Sequence, residues 1–210
     1  MLDGYVSEKE QIDAIRKWWR DNGKLTITAI FFGLLVGFGW RYWHTLEIRR
    51  AENASVVYQS VLMADSKKDY ASAKSSTALL TKDFANSPYT SLAAMIVAKE
   101  AVEQNDLQTA STQLQWVIDH GNPARLQDIA RLSLSRILVS ENKTDVALAT
   151  LKGIKDKSFL PLVNWVKGDV YTKEGNAKEA QSHYTAAKNA LSEFPPAVKL
   201  LNQAIAQPIG

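Results

Sequence analysis

The chain has 210 residues, 22% of them charged, with a net charge of +3 and no cysteine. The absence of cysteine excludes disulfides, thiolate catalysis and Cys-ligated zinc. So small a positive excess, without a long basic run, offers no surface for nucleic acid, and the length leaves room for one domain with a sizeable core.

Ser7-Glu8-Lys9-Glu10 has the S-x-x-E form of a capping box, which predicts a helix starting at Glu8. Ile12, Ile15, Trp18 and Trp19 recur at helical spacing, and Asn22-Gly23 reads as a left-handed stop. Residues 1–23 are therefore expected to form an amphipathic cytoplasmic segment at the lipid headgroups. Leu25–Trp43 follows, reading LTITAIFFGLLVGFGWRYW, and Leu25–Trp40 carries no charge between Lys24 and Arg41. As a helix this stretch covers ~28 Å, close to the ~30 Å of bilayer hydrocarbon. Trp18 and Trp19 on one side and Trp40, Tyr42 and Trp43 on the other fit two interfacial belts. Bulky residues stand where a cleavage site would need small ones, so residues 24–43 are read as an uncleaved transmembrane anchor. Lys9, Arg16, Lys17, Arg20 and Lys24 precede it, against Arg41, Arg49 and Arg50 just after. That bias predicts a cytoplasmic N-terminus and a translocated domain over residues 44–210, periplasmic in a bacterial inner membrane. Gly33 and Gly37 form a G-x-x-x-G on which another membrane helix, from a second copy or a different protein, could pack.

Beyond His44 there are no strand signals, only amphipathic helical stretches punctuated by Asn, Asp, Gly or Pro. Aligning on Ala73, Ala110, Ala147 and Ala180 exposes an internal repeat with offsets of 37, 37 and 33 residues. Four residues later stand Thr77, Leu114, Leu151 and Tyr184; twelve earlier stand Val61, Ala98, Ser135 and Gly168. Nine earlier stand Ala64, Ala101, Leu138 and Tyr171. This pattern resembles the tetratricopeptide repeat, in which a small residue lets two antiparallel helices approach and large ones fill the seam. The first unit departs from it, with Val61 where a small residue belongs and Thr77 where a large one does. The expected fold is all-α: the anchor, then an α-solenoid of three to four helix pairs, closed by a capping helix over Ala197–Gln207.

Catalytic signals are poor. His44, His120 and His183 lie far apart with no ligand spacing, no phosphate loop is present outside the anchor, and Asp65/Asp69 and Asp156/Asp169 lack an acid–base context. No enzyme, cofactor or metal is expected. A solenoid does offer a groove lined by the first helix of each pair. The register places Tyr58, Met95, Leu132 and Trp165 in one row and Leu62, Lys99, Arg136 and Asp169 in the next. Such a set suits an extended or helical peptide, with apolar anchors and a polar rim. The bland alternative makes the apolar row ordinary seam between repeats.

Glu10-Gln11-Ile12, Lys17-Trp18-Trp19, Asn22-Gly23-Lys24, the Gly-rich anchor and Gly39-Trp40-Arg41-Tyr42-Trp43 together resemble the YfgM-type ancillary subunits of the bacterial SecYEG translocon, over the whole length. The resemblance implies an inner-membrane protein associated with SecYEG and with a periplasmic, membrane-anchored chaperone of the PpiD type. Its repeat domain would help hand emerging secretory chains to envelope chaperones. The family brings no catalytic residues. The rival expectation is a self-associating envelope scaffold, a homo-oligomer held through Gly33 and Gly37, serving cell division or wall assembly.

Overall fold

The computed structural model describes residues 8–206, and its contacts divide the chain into two compact units, Met1–Ala51 and Glu52–Gly210. The first helix, α1 (Glu8–Ser66), begins in the first unit and ends in the second. Ser7, which opens the expected capping box, lies outside the described residues.

Within the first unit the expected stop at Asn22-Gly23 is not there: both residues are helical. The local bonding explains this correction. Asn22 Nδ2 donates to the Trp18 carbonyl (3.2 Å) and Thr26 Oγ1 donates to the Asn22 carbonyl (3.0 Å). The Trp19 indole covers the Gly23 face, 3.4 Å from where a Cβ would stand. One helical glycine costs about 1 kcal/mol, whereas breaking and restarting a helix incurs a new nucleation penalty. The amphipathic segment and the anchor are thus parts of one helix. Its apolar side chains are exposed, Phe38 at 69% and Trp40 at 76%, and it is long and apolar enough to cross a membrane.

The second unit is built from helix pairs. The C-terminal part of α1 pairs with α2 (Tyr70–Asp83), burying Ala54, Val61 and Ala64 in one cluster with Ala73 and Leu80. Next come α3 (Pro88–Glu103) with α4 (Leu107–His120), and α5 (Ala124–Ser140) with α6 (Thr144–Lys152). A 3-10 turn at Lys157–Phe159 then leads into α7 (Leu160–Lys173), which packs on α8 (Ala177–Ala190), and α9 (Pro195–Ala206) ends the described chain.

The turns explain the repeat physically. Lys68, Asn105, Asn142 and Gly175 adopt φ of 54°, 60°, 60° and 74°, each at the same register. The next residue's N–H then donates back to the carbonyl of Ala64, Ala101, Leu138 or Tyr171, at 2.8–2.9 Å. This is a Schellman-type stop that satisfies the helix-end carbonyls. That same next residue caps the following helix: the side chains of Asp69, Asp106 and Asn176 accept from the N–H three residues on. Lys143, at the equivalent place, supplies no side-chain cap.

The first helix pair keeps the register despite its unusual residues. Val61 and Thr77 are both buried, as are Ala98 with Leu114, Ser135 with Leu151, and Gly168 with Tyr184. Bulk is exchanged between the two positions, from Val over Thr in the first helix pair to Gly under Tyr in the last. The capping helix starts two residues before the expected Ala197, at Pro195, and Gln207 lies outside the described residues. Its Leu201 is fully buried with Ala180, Tyr184 and Ala187, closing the last pair.

Candidate functional site

The first helices of successive pairs, α3, α5 and α7, pack side by side, so their register positions form rows across one face. In the apolar row Tyr58 is half-buried against Tyr89, ring centroids 5.4 Å apart. Met95 is half-buried at the edge of the core. Leu132 is 5% exposed and taken up by the core cluster, so it lines no groove and fills the seam instead. Trp165 is half-buried beside Ala180, Tyr184 and Leu201.

The second row carries the polar chemistry. Leu62 is exposed at 41%. Lys99 Nζ holds Asp65 Oδ1 at 3.1 Å, and that carboxylate pushes the ammonium pKa up. Arg136 lies 5.5 Å over the Trp165 ring, and burial pushes its pKa down while the Asp169 carboxylate opposes the shift. Burial pushes the Asp169 carboxyl up, offset by a hydrogen bond of 2.8 Å from the Tyr184 hydroxyl. Tyr184 is in turn held well above an ordinary phenol by burial and by its bond to Asp169. Trp165, Arg136 and Asp169 therefore belong to one connected cluster, whereas Tyr58 and Leu62 sit with the first pair.

Two pockets flank the last turns of α3. One, of about 320 Å³, lies between α3 and α5 on Met95, Val102, Leu114 and Ile137, with Lys99, Glu103 and Arg136 at its sides. The other, of about 380 Å³, is polar and lined by Asp65, Lys68, Lys99, Glu100, Glu103 and Gln104. They share Lys99 and Glu103. Glu100 is 6% exposed and its Oε2 accepts no hydrogen bond. Burial, and then the nearby Asp65 carboxylate, push its pKa up. The sequence does contain a signal for Glu100: at its register the other units carry Met63, Ile137 and Val170, all apolar.

Asp69, Asp156, His120 and His183 have structural partners. Asp69 caps α2, and Asp156 caps the 3-10 turn while pairing with Arg125 at 3.0 Å. His120 closes α4, its Nδ1 3.1 Å from the Trp116 carbonyl and its ring stacked on Trp116. His183 stacks on Tyr171 and lies 3.2 Å from Asn164 Oδ1. Among the described residues no three His, Cys, Asp or Glu side chains gather as a metal site. In the first unit a Cβ added at Gly33 or Gly37 would meet nothing within 4 Å.

A tetratricopeptide repeat-like domain model matches residues 16–206. The ancillary SecYEG translocon subunit of Escherichia coli (strain K12) is 28% identical over 204 residues, covering 96% of each chain. Its counterpart in Haemophilus influenzae is 27% identical, over 90% of this chain and 92% of the relative. That of Neisseria gonorrhoeae is 24% identical, over 89% and 90%. No solved structure matches.

Proposed function

The chain belongs to the tetratricopeptide repeat-like domain family, and from that premise we propose that it is a membrane-anchored protein-interaction subunit associated with the SecYEG translocon. The observation that carries this reading is near-full-length similarity, from residue 16 through the repeats, to relatives named as ancillary subunits of that translocon. A shared repeat domain alone would not suffice, because repeats serve many unrelated tasks. Here the similarity includes the apolar N-terminal helix.

In this reading residues 24–43 anchor the chain once in the bacterial inner membrane, with the N-terminus cytoplasmic and residues 44–210 periplasmic. The excess of Lys and Arg before the anchor supports that orientation. The solenoid face bearing Tyr58, Leu62, Met95, Lys99, Arg136, Trp165 and Asp169 receives emerging secretory chains or a membrane-anchored chaperone of the PpiD type. Tethering beside the channel exit raises the local concentration of such clients, so a weak groove suffices. Gly33 and Gly37 leave a shallow surface on which a translocon helix can settle.

A photocrosslinker placed at Leu34 or Leu35 tests the anchor's partner in intact membranes. Adducts with translocon subunits are expected, and adducts only with a second copy would transfer the role to a self-associating scaffold. A second crosslinker at Met95 tests the face itself. Bonds to translocating chains or to the chaperone are expected, and a face that yields none while the anchor crosslinks would remove the groove from the reading.

A further inference from the structure

The polar pocket at the end of α3 holds a feature that packing does not explain. At the register of Glu100 every other repeat carries an apolar side chain, and Ile137 and Val170 are buried there. A carboxylate in that place loses water, and its Oε2 gains no hydrogen bond in exchange. Buried polar atoms without partners are rare and costly, and stability alone would favour Met or Ile. The carboxylate faces a pocket of about 380 Å³ whose other acids are Asp65 and Glu103 and whose cations are Lys68 and Lys99. Lys99 is committed to Asp65 at 3.1 Å. Lys99 also acts on Glu100, and the Asp65 carboxylate lies against it. Three acids nevertheless face two cations in this pocket, so a cation entering it would meet an excess of negative charge beside a desolvated carboxylate. One helical turn away the apolar pocket on Met95, Val102, Leu114 and Ile137 begins, sharing Lys99 and Glu103 as its wall.

We propose that these two pockets form one subsite for a polypeptide segment that pairs an apolar side chain with a neighbouring lysine or arginine. The apolar group enters between α3 and α5, and the basic group enters the polar pocket lined by Glu100. This rests on the groove reading above and gives it a selectivity: basic-apolar segments over acidic-apolar ones. A charge-assisted hydrogen bond to a desolvated carboxylate is among the stronger polar contacts available. The preference needs both pockets, since Met95, Val102, Leu114 and Ile137 line only one and Glu100 lines only the other.

The test uses the full chain in lipid nanodiscs and three labelled, end-capped hexapeptides, acetyl-Gly-Ser-Leu-Xaa-Ser-Gly-amide, with Xaa as Lys, Ser or Glu, followed by fluorescence anisotropy. The Lys peptide is expected to bind at least about fivefold tighter than the Ser peptide, and the Glu peptide more weakly than either. Glu100→Gln should bring the Lys peptide to the Ser level and leave the Ser peptide unchanged. Equal binding of all three, lost on Ile137→Glu, would overturn the charge selection and leave the groove standing. Absence of binding by all three would overturn the subsite, with the Met95 crosslinks judging the groove separately. If Glu100→Gln lowered Tm and abolished every peptide's binding, Glu100 would be a structural residue and the inference would fail. A Tm at or above the parent value, together with the loss of Lys selectivity, supports it.

Discussion

Gly168 shows how far this fold depends on single atoms. A methyl group there would clash with the edge of the Tyr184 ring, whose hydroxyl already serves Asp169 and Thr172. Gly168→Ala is therefore expected to cost ~1–3 kcal/mol in chemical denaturation. Adding Tyr184→Leu, which copies the Ala98 and Leu114 combination of the second unit, should return part of that loss. The return stays incomplete because Asp169 then lacks its donor, and a double-mutant cycle reads the coupling directly. Glu100 makes the opposite kind of prediction. Its carboxyl is raised above the ordinary 4.5, so the unfolded chain releases the proton first. Stability then falls as pH rises from that ordinary value through the folded one. Glu100→Gln should match the parent in Tm near about pH 4 and exceed it near about pH 7. At this scale the sequence was partly legible: the small and large register positions were visible, because close helix contact dictates side-chain size. Burial of Leu132 was not, since a leucine serves a seam or a groove equally well until the neighbouring helix is in place.

Helices here are defined more by their turns than by their interiors. The left-handed residue and the cap that follows it recur at Lys68-Asp69, Asn105-Asp106, Asn142-Lys143 and Gly175-Asn176. Only Lys143 offers no side-chain oxygen to the next helix, and its ammonium instead meets Glu141 at an exposed distance of 3.1 Å. An exposed pair of that kind contributes little, whereas a side-chain cap is worth about 1 kcal/mol. Lys143→Asn should therefore stabilise the domain by ~0.5–1 kcal/mol, measured by denaturant midpoint at constant slope. Gly175-Asn176 was readable from sequence because glycine announces a positive φ, whereas Lys68 adopts the same conformation without any such sign. Asn22-Gly23 carries that sign and is nevertheless helical. A glycine only permits a left-handed turn, and the bonds of Trp18, Asn22 and Thr26 decide against one.

The molecule comprises two units with different surfaces, an N-terminal helix with exposed apolar side chains and a helical array with a buried core. The array ends on α9, where Leu201 shields Tyr184 and Ala187. Leu201→Ala should cost ~2–4 kcal/mol and increase dye binding to newly exposed apolar surface in the native baseline. Fold class and repeat spacing could be read at this scale because both follow from periodicity; the pockets beside α3 could not, because they need helices from several units in place. The Schellman-type turns carry one more consequence. Since Asn105 and Asn142 share a backbone conformation, and the N–H that follows each returns to the helix before it in the same way, the stretch 106–142 has the matched ends of an interchangeable module. Excising it joins Asn105 to Lys143 and should yield a shortened protein, still cooperatively folded and helical by circular dichroism, with one link removed from the chain of pairs. An excised variant that aggregates or loses its thermal transition would mean that the modules are individually fitted to their neighbours and cannot be traded.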